Sequence, residues 1–122
     1  MFDKSLLPIF TIGWNEATRN GDFPPEFVSG KIKKKWNADE KKYSDEPECV
    51  QLESFFYALR KSKIVVTLPP DALSEKEVAE LNLQADGGKD ISLNFANLKI
   101  GLKFGFNNDL QIVATATSVE VV

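Results

Sequence analysis

Leu98-Lys99-Ile100-Gly101-Leu102-Lys103-Phe104-Gly105-Phe106 is the stretch that decides the fold. Leu98, Ile100, Leu102, Phe104 and Phe106 fall at every second position, with Lys99, Gly101, Lys103 and Gly105 between them. A period of two with one large apolar face means a strand that rests one side on a core. Asn107-Asn108-Asp109 follows, and these residues favour turns because they tolerate positive φ and bond to their own backbone. The Val- and Thr-rich run 110–121 then reads as a returning strand, so 98–121 is expected to form a β-hairpin. Glycines 101 and 105 on the outward face predict a bend or bulge, or else a flat basic surface for docking.

Working upstream, 90–95 also alternates, with Ile91, Leu93 and Phe95 in phase. The apolar phase slips by one residue at Ala96-Asn97, which flips every later side chain. A tight turn at Asn97 is expected there. Gly87-Gly88 closes a short helix over 74–83, whose start carries a capping box in Ser74-Glu75-Lys76-Glu77. Pro69-Pro70 separates that helix from a strand at 63–68.

The segment 48–61 fits two periods. Cys49, Leu52, Phe56 and Leu59 recur at helical spacing, while Val50, Leu52, Phe56 and Ala58 fit a strand. Pro47 suits a first helical turn, Asp45 a cap, and the composition is helix-forming, so the expectation is a helix. The N-terminal third offers strands at 8–14 and 27–36, with a turn-rich stretch between them. A charged loop is expected over 37–46. No repeat or domain boundary interrupts the chain, and 1–122 reads as a single domain.

Composition removes many functions. The 122 residues include no histidine and one cysteine, Cys49. That excludes Ser-His-Asp and Cys-His catalysis, His-containing zinc sites and an intramolecular disulfide. The net charge of −3 specifies no polyionic partner. No G-x-S-x-G, P-loop or G-x-G-x-x-G motif occurs. The carboxylates at 39–48 are interleaved with Lys41 and Lys42, which fits a solvated loop better than a cation site. No catalytic residue, metal site or cofactor is assigned. No apolar run approaches the ~20 residues of a membrane span, and no signal peptide is seen, so a cytoplasmic protein without membrane contact is expected.

One motif points to a ligand. In Gly30-Lys31-Ile32-Lys33-Lys34-Lys35-Trp36, a strand would put Lys31, Lys33 and Lys35 on one face and Ile32, Lys34 and Trp36 on the other. Ammonium groups meet phosphates and an aromatic ring offers a stacking surface, which is single-strand nucleic-acid chemistry. Lysines on a strand also guard against edge pairing, and Trp36 also reads as core. Lys99 and Lys103 would add charge from the outward face of the hairpin.

The element order βββ-α-ββ resembles the OB-fold, a five-stranded barrel whose second and third strands often face oligonucleotides or oligosaccharides. The resemblance is one of topology. It puts Lys31, Lys33, Lys35 and Trp36 on the second strand, and gives 48–61 and 90–95 no counterpart.

The expected fold is therefore α+β, mainly an antiparallel sheet or small OB-like barrel with one or two short helices. The expected core comprises Ile9, Ile12, Ile32, Phe56, Val65, Leu81, Leu93, Ile100, Leu102, Phe104, Leu110 and Ile112. The expected function is a non-enzymatic binding module for single-stranded nucleic acid through Lys31, Lys33, Lys35, Trp36, Lys99 and Lys103. The alternative is a protein-interaction module, such as a regulator, inhibitor or assembly subunit, pairing with another protein or with itself through a sheet edge.

Overall fold

The computed structural model describes the backbone of residues 11–104 and 110–122 and the side-chain surroundings of 12–101 and 112–122. The fold is α+β and mostly β-sheet. Its elements are β1 (Thr11–Gly13), α1 (Trp14–Thr18), β2 (Glu26–Asn37), β3 (Lys42–Phe56), β4 (Ser62–Leu68), α2 (Glu75–Asp86), β5 (Leu93–Ala96), β6 (Lys99–Phe104), β7 (Leu110–Thr115) and β8 (Ser118–Val121). Six strands form one sheet in the order β1-β6-β7-β4-β3-β2, and β5 pairs with β8 in a second, two-stranded sheet. Among the described residues β1 and β2 do not pair with each other, so the larger sheet does not close into a barrel. At its β2 side an isolated antiparallel bridge, Glu26↔Ser92, links it to the segment just before β5. Among the described strands every pairing is antiparallel except β4 with β7, which is parallel. A parallel pair needs a crossover, and the chain makes it through α2, β5 and β6.

The hairpin expected at the C-terminal end is present as β6 and β7, in register from Lys99↔Thr115 to Phe104↔Leu110. That register is unbroken, so Gly101 marks no bulge. The expected turn at 107–109 lies outside the described residues. The last run does not continue as one strand to Val121. It breaks after Thr115, and β8 leaves to pair with β5. Asn97, at φ +54°, makes the expected turn at the slip in apolar phase. The strands on either side of it belong to different sheets, so the turn also passes the chain from one sheet to the other.

The helix expected at 48–61 is instead the second half of β3, followed by a single 3-10 turn over Tyr57–Leu59. Val50, Leu52, Ser54 and Phe56 are fully buried in alternation with half-buried Gln51, Glu53 and Phe55. Pairing with β2 on one side and β4 on the other outweighs the helix-forming composition. Pro47 opens no helix. It faces Lys34 at a register shift of the β2–β3 ladder, where a missing N–H is tolerated. The charged loop expected at 37–46 shrinks to a turn at 38–41, in which Asn37 Oδ1 accepts from the Asp39 and Glu40 N–H groups at 3.0 and 3.2 Å. Residues 42–46 belong to the strand. The N-terminal strand expected at 8–14 is described only over Thr11–Gly13. Trp14, the last residue of that expected strand, instead starts α1, whose other residues fall in the stretch expected to be turn-rich.

The helix expected at 74–83 runs on to Asp86. Its capping box is formed: the Glu77 N–H donates to Ser74 Oγ at 3.1 Å and the Ser74 N–H to Glu77 Oε1 at 3.0 Å. Val78 and Leu81 are its buried stripe. This helix lies against β2, the last strand of the sheet. The Gly30 N–H donates to Asn82 Oδ1 and Asn82 Nδ2 donates to the Gly30 carbonyl, both at 2.8 Å. A side-chain amide thus takes the place that a neighbouring strand would occupy, and the helix covers the edge. Gly30 is required for this fit, because a Cβ there would stand 2.8 Å from Leu52 Cδ2 and 3.3 Å from Val78 Cγ1.

The core holds Phe56, Leu81, Leu93 and Ile100 as expected, with Ile12 and Ile32 half-buried at its margin. Val65 is not in it. β4 turns Ile64, Val66 and Leu68 inward, which leaves Val65 outward and 44% exposed. Ile112 shares the face of buried Ala114 yet is 56% exposed. It lines an apolar groove with Ile12, Leu59, Ile64 and Ile100. The side chains of Ile9, Leu102, Phe104 and Leu110 lie outside the described surroundings.

Candidate nucleic-acid interface

β2 and β3 form a long hairpin that carries most of the motif. Lys31, Lys33 and Lys35 are exposed on one face, and Ile32 and Lys34 are half-buried on the other. Trp36 is not a core residue. It is 55% exposed and stands opposite Tyr43, edge to face, with ring centroids 4.9 Å apart. Tyr43, hidden from sequence reasoning inside an expected loop, thus belongs with Trp36 near the turn. Shallow grooves of about 450–480 Å³ flank this arm, lined by Lys31, Lys33, Lys34, Lys35, Trp36 and Tyr43.

Most of the arm's positive charge is internally compensated. Lys33 pairs with Glu48 at 3.8 Å and Lys35 with Glu46 at 2.9 Å, both across the hairpin. Lys34 pairs with Glu75 at the start of α2. Lys31 has no carboxylate partner among the described residues, and neither does exposed Lys99.

The two lysine sets are three strands apart but share a face. The register carries one row across five strands: Lys99↔Thr115, Thr115↔Thr67, Thr67↔Gln51 and Gln51↔Lys31. Paired residues on neighbouring strands project to the same side of a sheet. Lys99, Thr115 and Lys31 are exposed along this row, and Thr67 and Gln51 half-buried. Four inter-strand steps of about 4.8 Å put its ends roughly 19 Å apart. The row beside it carries Glu53, which is paired with Lys63 at 3.7 Å. Lys103 lies on β6 opposite Gln111, and its side chain is outside the described surroundings.

Farther along the same face, where Glu26 pairs with Phe55, the Tyr57 hydroxyl donates a hydrogen bond to Glu26. That hydrogen bond, with burial and the charges of Glu26 and Asp90, holds the phenol above its ordinary value. Among the described residues no three His, Cys, Asp or Glu side chains converge to hold a metal ion. No described helix is long and apolar enough to cross a membrane. No protein-family model matches the chain, and no curated protein or solved structure matches it significantly.

Proposed function

We propose that this protein is a small non-enzymatic module that binds single-stranded nucleic acid across the outer face of its six-stranded sheet. The observation that carries the reading is the row Lys31-Gln51-Thr67-Thr115-Lys99, with neutral hydrogen-bonding groups between two lysines that meet no carboxylate among the described residues. Exposed Trp36 and Tyr43, on the arm that bears Lys31, supply ring surface on which a base can stack. The neutral centre suits a ligand held at its phosphates without a continuous basic stripe.

The strand order lends topological support. The β2-β3-β4 meander, the helix after it, and β7 parallel to β4 and antiparallel to β6 follow the strand order of an OB-like barrel. In that reading β1 and β2 together stand for a split first strand, and the sheet stays open between them. The lysines of β2 then fall on the first strand, and the ligand-facing second and third strands are β3 and β4. A single half-buried cysteine fits the reducing cytoplasm in which we place the protein.

The test is fluorescence anisotropy with labelled oligothymidylate and oligouridylate about 12 nucleotides long, at low salt, with Trp36→Phe as the second arm. Saturable binding with quenched tryptophan emission, lost in part in the variant, is expected. Absence of binding to both oligonucleotides overturns the reading.

One observation favours the second reading, a protein-interaction module. β8 is an edge strand of the small sheet, and its Val121 is exposed next to the exposed terminal Val122. A partner strand, from another protein or a second copy, could add there. The edge of β2 is a poorer candidate because α2 covers it. Light scattering at increasing concentration distinguishes self-association, which predicts a dimer mass, from a strictly monomeric chain.

A further inference from the structure

The sequence places four lysines within five positions, at 31, 33, 34 and 35, but the fold treats them differently. Glu46 and Glu48 reach Lys35 and Lys33 from β3, on either side of the shift that sets Pro47 opposite Lys34. Glu75 reaches Lys34 from α2, a separate element 41 positions away in the chain. Lys31 instead faces neutral Gln51. A phosphate that displaced Glu46 or Glu48 would take its lysine but would stand beside the released carboxylate, and like charges held close oppose binding.

Resting on the single-strand reading above, we propose that Lys31 and Lys99 are the phosphate-contacting lysines, and that Glu46, Glu48 and Glu75 are specificity-determining residues that withhold Lys33, Lys34 and Lys35. The carboxylates confine a polyanion to the cross-sheet row. They keep the arm from acting as an indiscriminate cationic hook, and leave its aromatic pair as the feature that selects a ligand with exposed bases. A duplex offers phosphates but no free base face to Trp36, so the guarded arm favours single strands.

The test compares two double variants with the same change in net charge. E46Q/E48Q removes the cross-hairpin guard, and E80Q/E120Q removes two carboxylates that pair with no lysine among the described residues. With oligothymidylate, E46Q/E48Q is expected to bind about five- to tenfold tighter than the parent. Its plot of log affinity against log salt is expected to be steeper by about 1.4, since each newly engaged lysine adds about 0.7. E80Q/E120Q is expected to change affinity less than about twofold. Equal gains from the two pairs overturn the proposal. If the parent protein does not bind oligothymidylate at low salt, the single-strand reading itself fails. The guard is then read from elution on immobilised heparin: later elution of E46Q/E48Q than of E80Q/E120Q supports it, and co-elution overturns it.

Discussion

The two long hairpins of this protein look alike in sequence and differ in what faces their lysines. On β2, Lys33 and Lys35 are met by glutamates from β3, and Lys34 by a glutamate from α2. On β6, Lys99 is met by Thr115 and Gly101 by Val113. The densest run of positive charge is therefore largely neutralised, whereas Lys99 on β6 meets no carboxylate among the described residues. Charge read along a strand is not charge presented by a sheet, because the facing strand decides what remains. The hairpins also differ at their outer sides: β6 is flanked by another strand, β1, whereas β2 is flanked by a helix.

The largest expected effect breaks that second difference. Gly30→Val is expected to destabilise the fold by about 1–3 kcal/mol, because the new side chain must enter space held by Leu52, Phe27 and Val78. Asn82→Ala strips the partly buried Gly30 amide and carbonyl of their partners and should cost about the same. Urea unfolding measures both, and a change under about 0.5 kcal/mol in each would show that α2 does not hold β2. Next in size, Trp36→Ala is expected to weaken oligonucleotide binding by about 1–3 kcal/mol while leaving stability nearly unchanged, since the ring is exposed. Calorimetric titration alongside thermal melting separates the two.

A smaller effect concerns the ion pairs themselves. Lys33→Ala with Lys35→Ala removes two exposed pairs, each worth about 0–1 kcal/mol, so its unfolding midpoint should stay close to the parent's. A large loss would mean that the arm depends on them. The smallest effect is at Tyr57. Its phenol is held above the ordinary value chiefly by the hydrogen bond to Glu26. The folded state then keeps a proton that the unfolded chain gives up at about pH 10. The contribution is fully present below that pH and is lost as pH rises through the folded-state value. Tyr57→Phe should flatten this part of the alkaline stability profile, and an unchanged slope would contradict the assignment.

Much of the framework was legible in the sequence because its signals are local. The alternation that gives β6 over Lys99–Phe104, the capping box at Ser74 and Glu77, and the short apolar strand at 63–68 all depend on near neighbours. β3 was not legible because Ser54 occupies a core position and the doublet Phe55-Phe56 blurs the phase. Helix-forming residues around it then favoured the wrong period. α1 has five residues and a glycine at its cap, too little for a pattern to register. For the candidate site, the alternation of Lys31, Lys33 and Lys35 with Ile32 and Lys34 was readable, and their partners were not. Glu46, Glu48 and Glu75 meet them only through the hairpin shift and the docking of α2. The row from Lys31 to Lys99 depends on the parallel pairing of β4 and β7, which joins residues 48 positions apart at Thr67↔Thr115 and leaves no local trace.

The most direct measurement compares the salt dependence of oligothymidylate binding for two lysine pairs. Lys31→Ala with Lys99→Ala is expected to lower the slope of log affinity against log salt by about 1.4, as two phosphate contacts are lost. Lys33→Ala with Lys35→Ala is expected to leave the slope within about 0.3 of the parent value, because those ammonium groups are already held by carboxylates. Equal losses from the two pairs, or a slope that neither pair alters, would contradict the account.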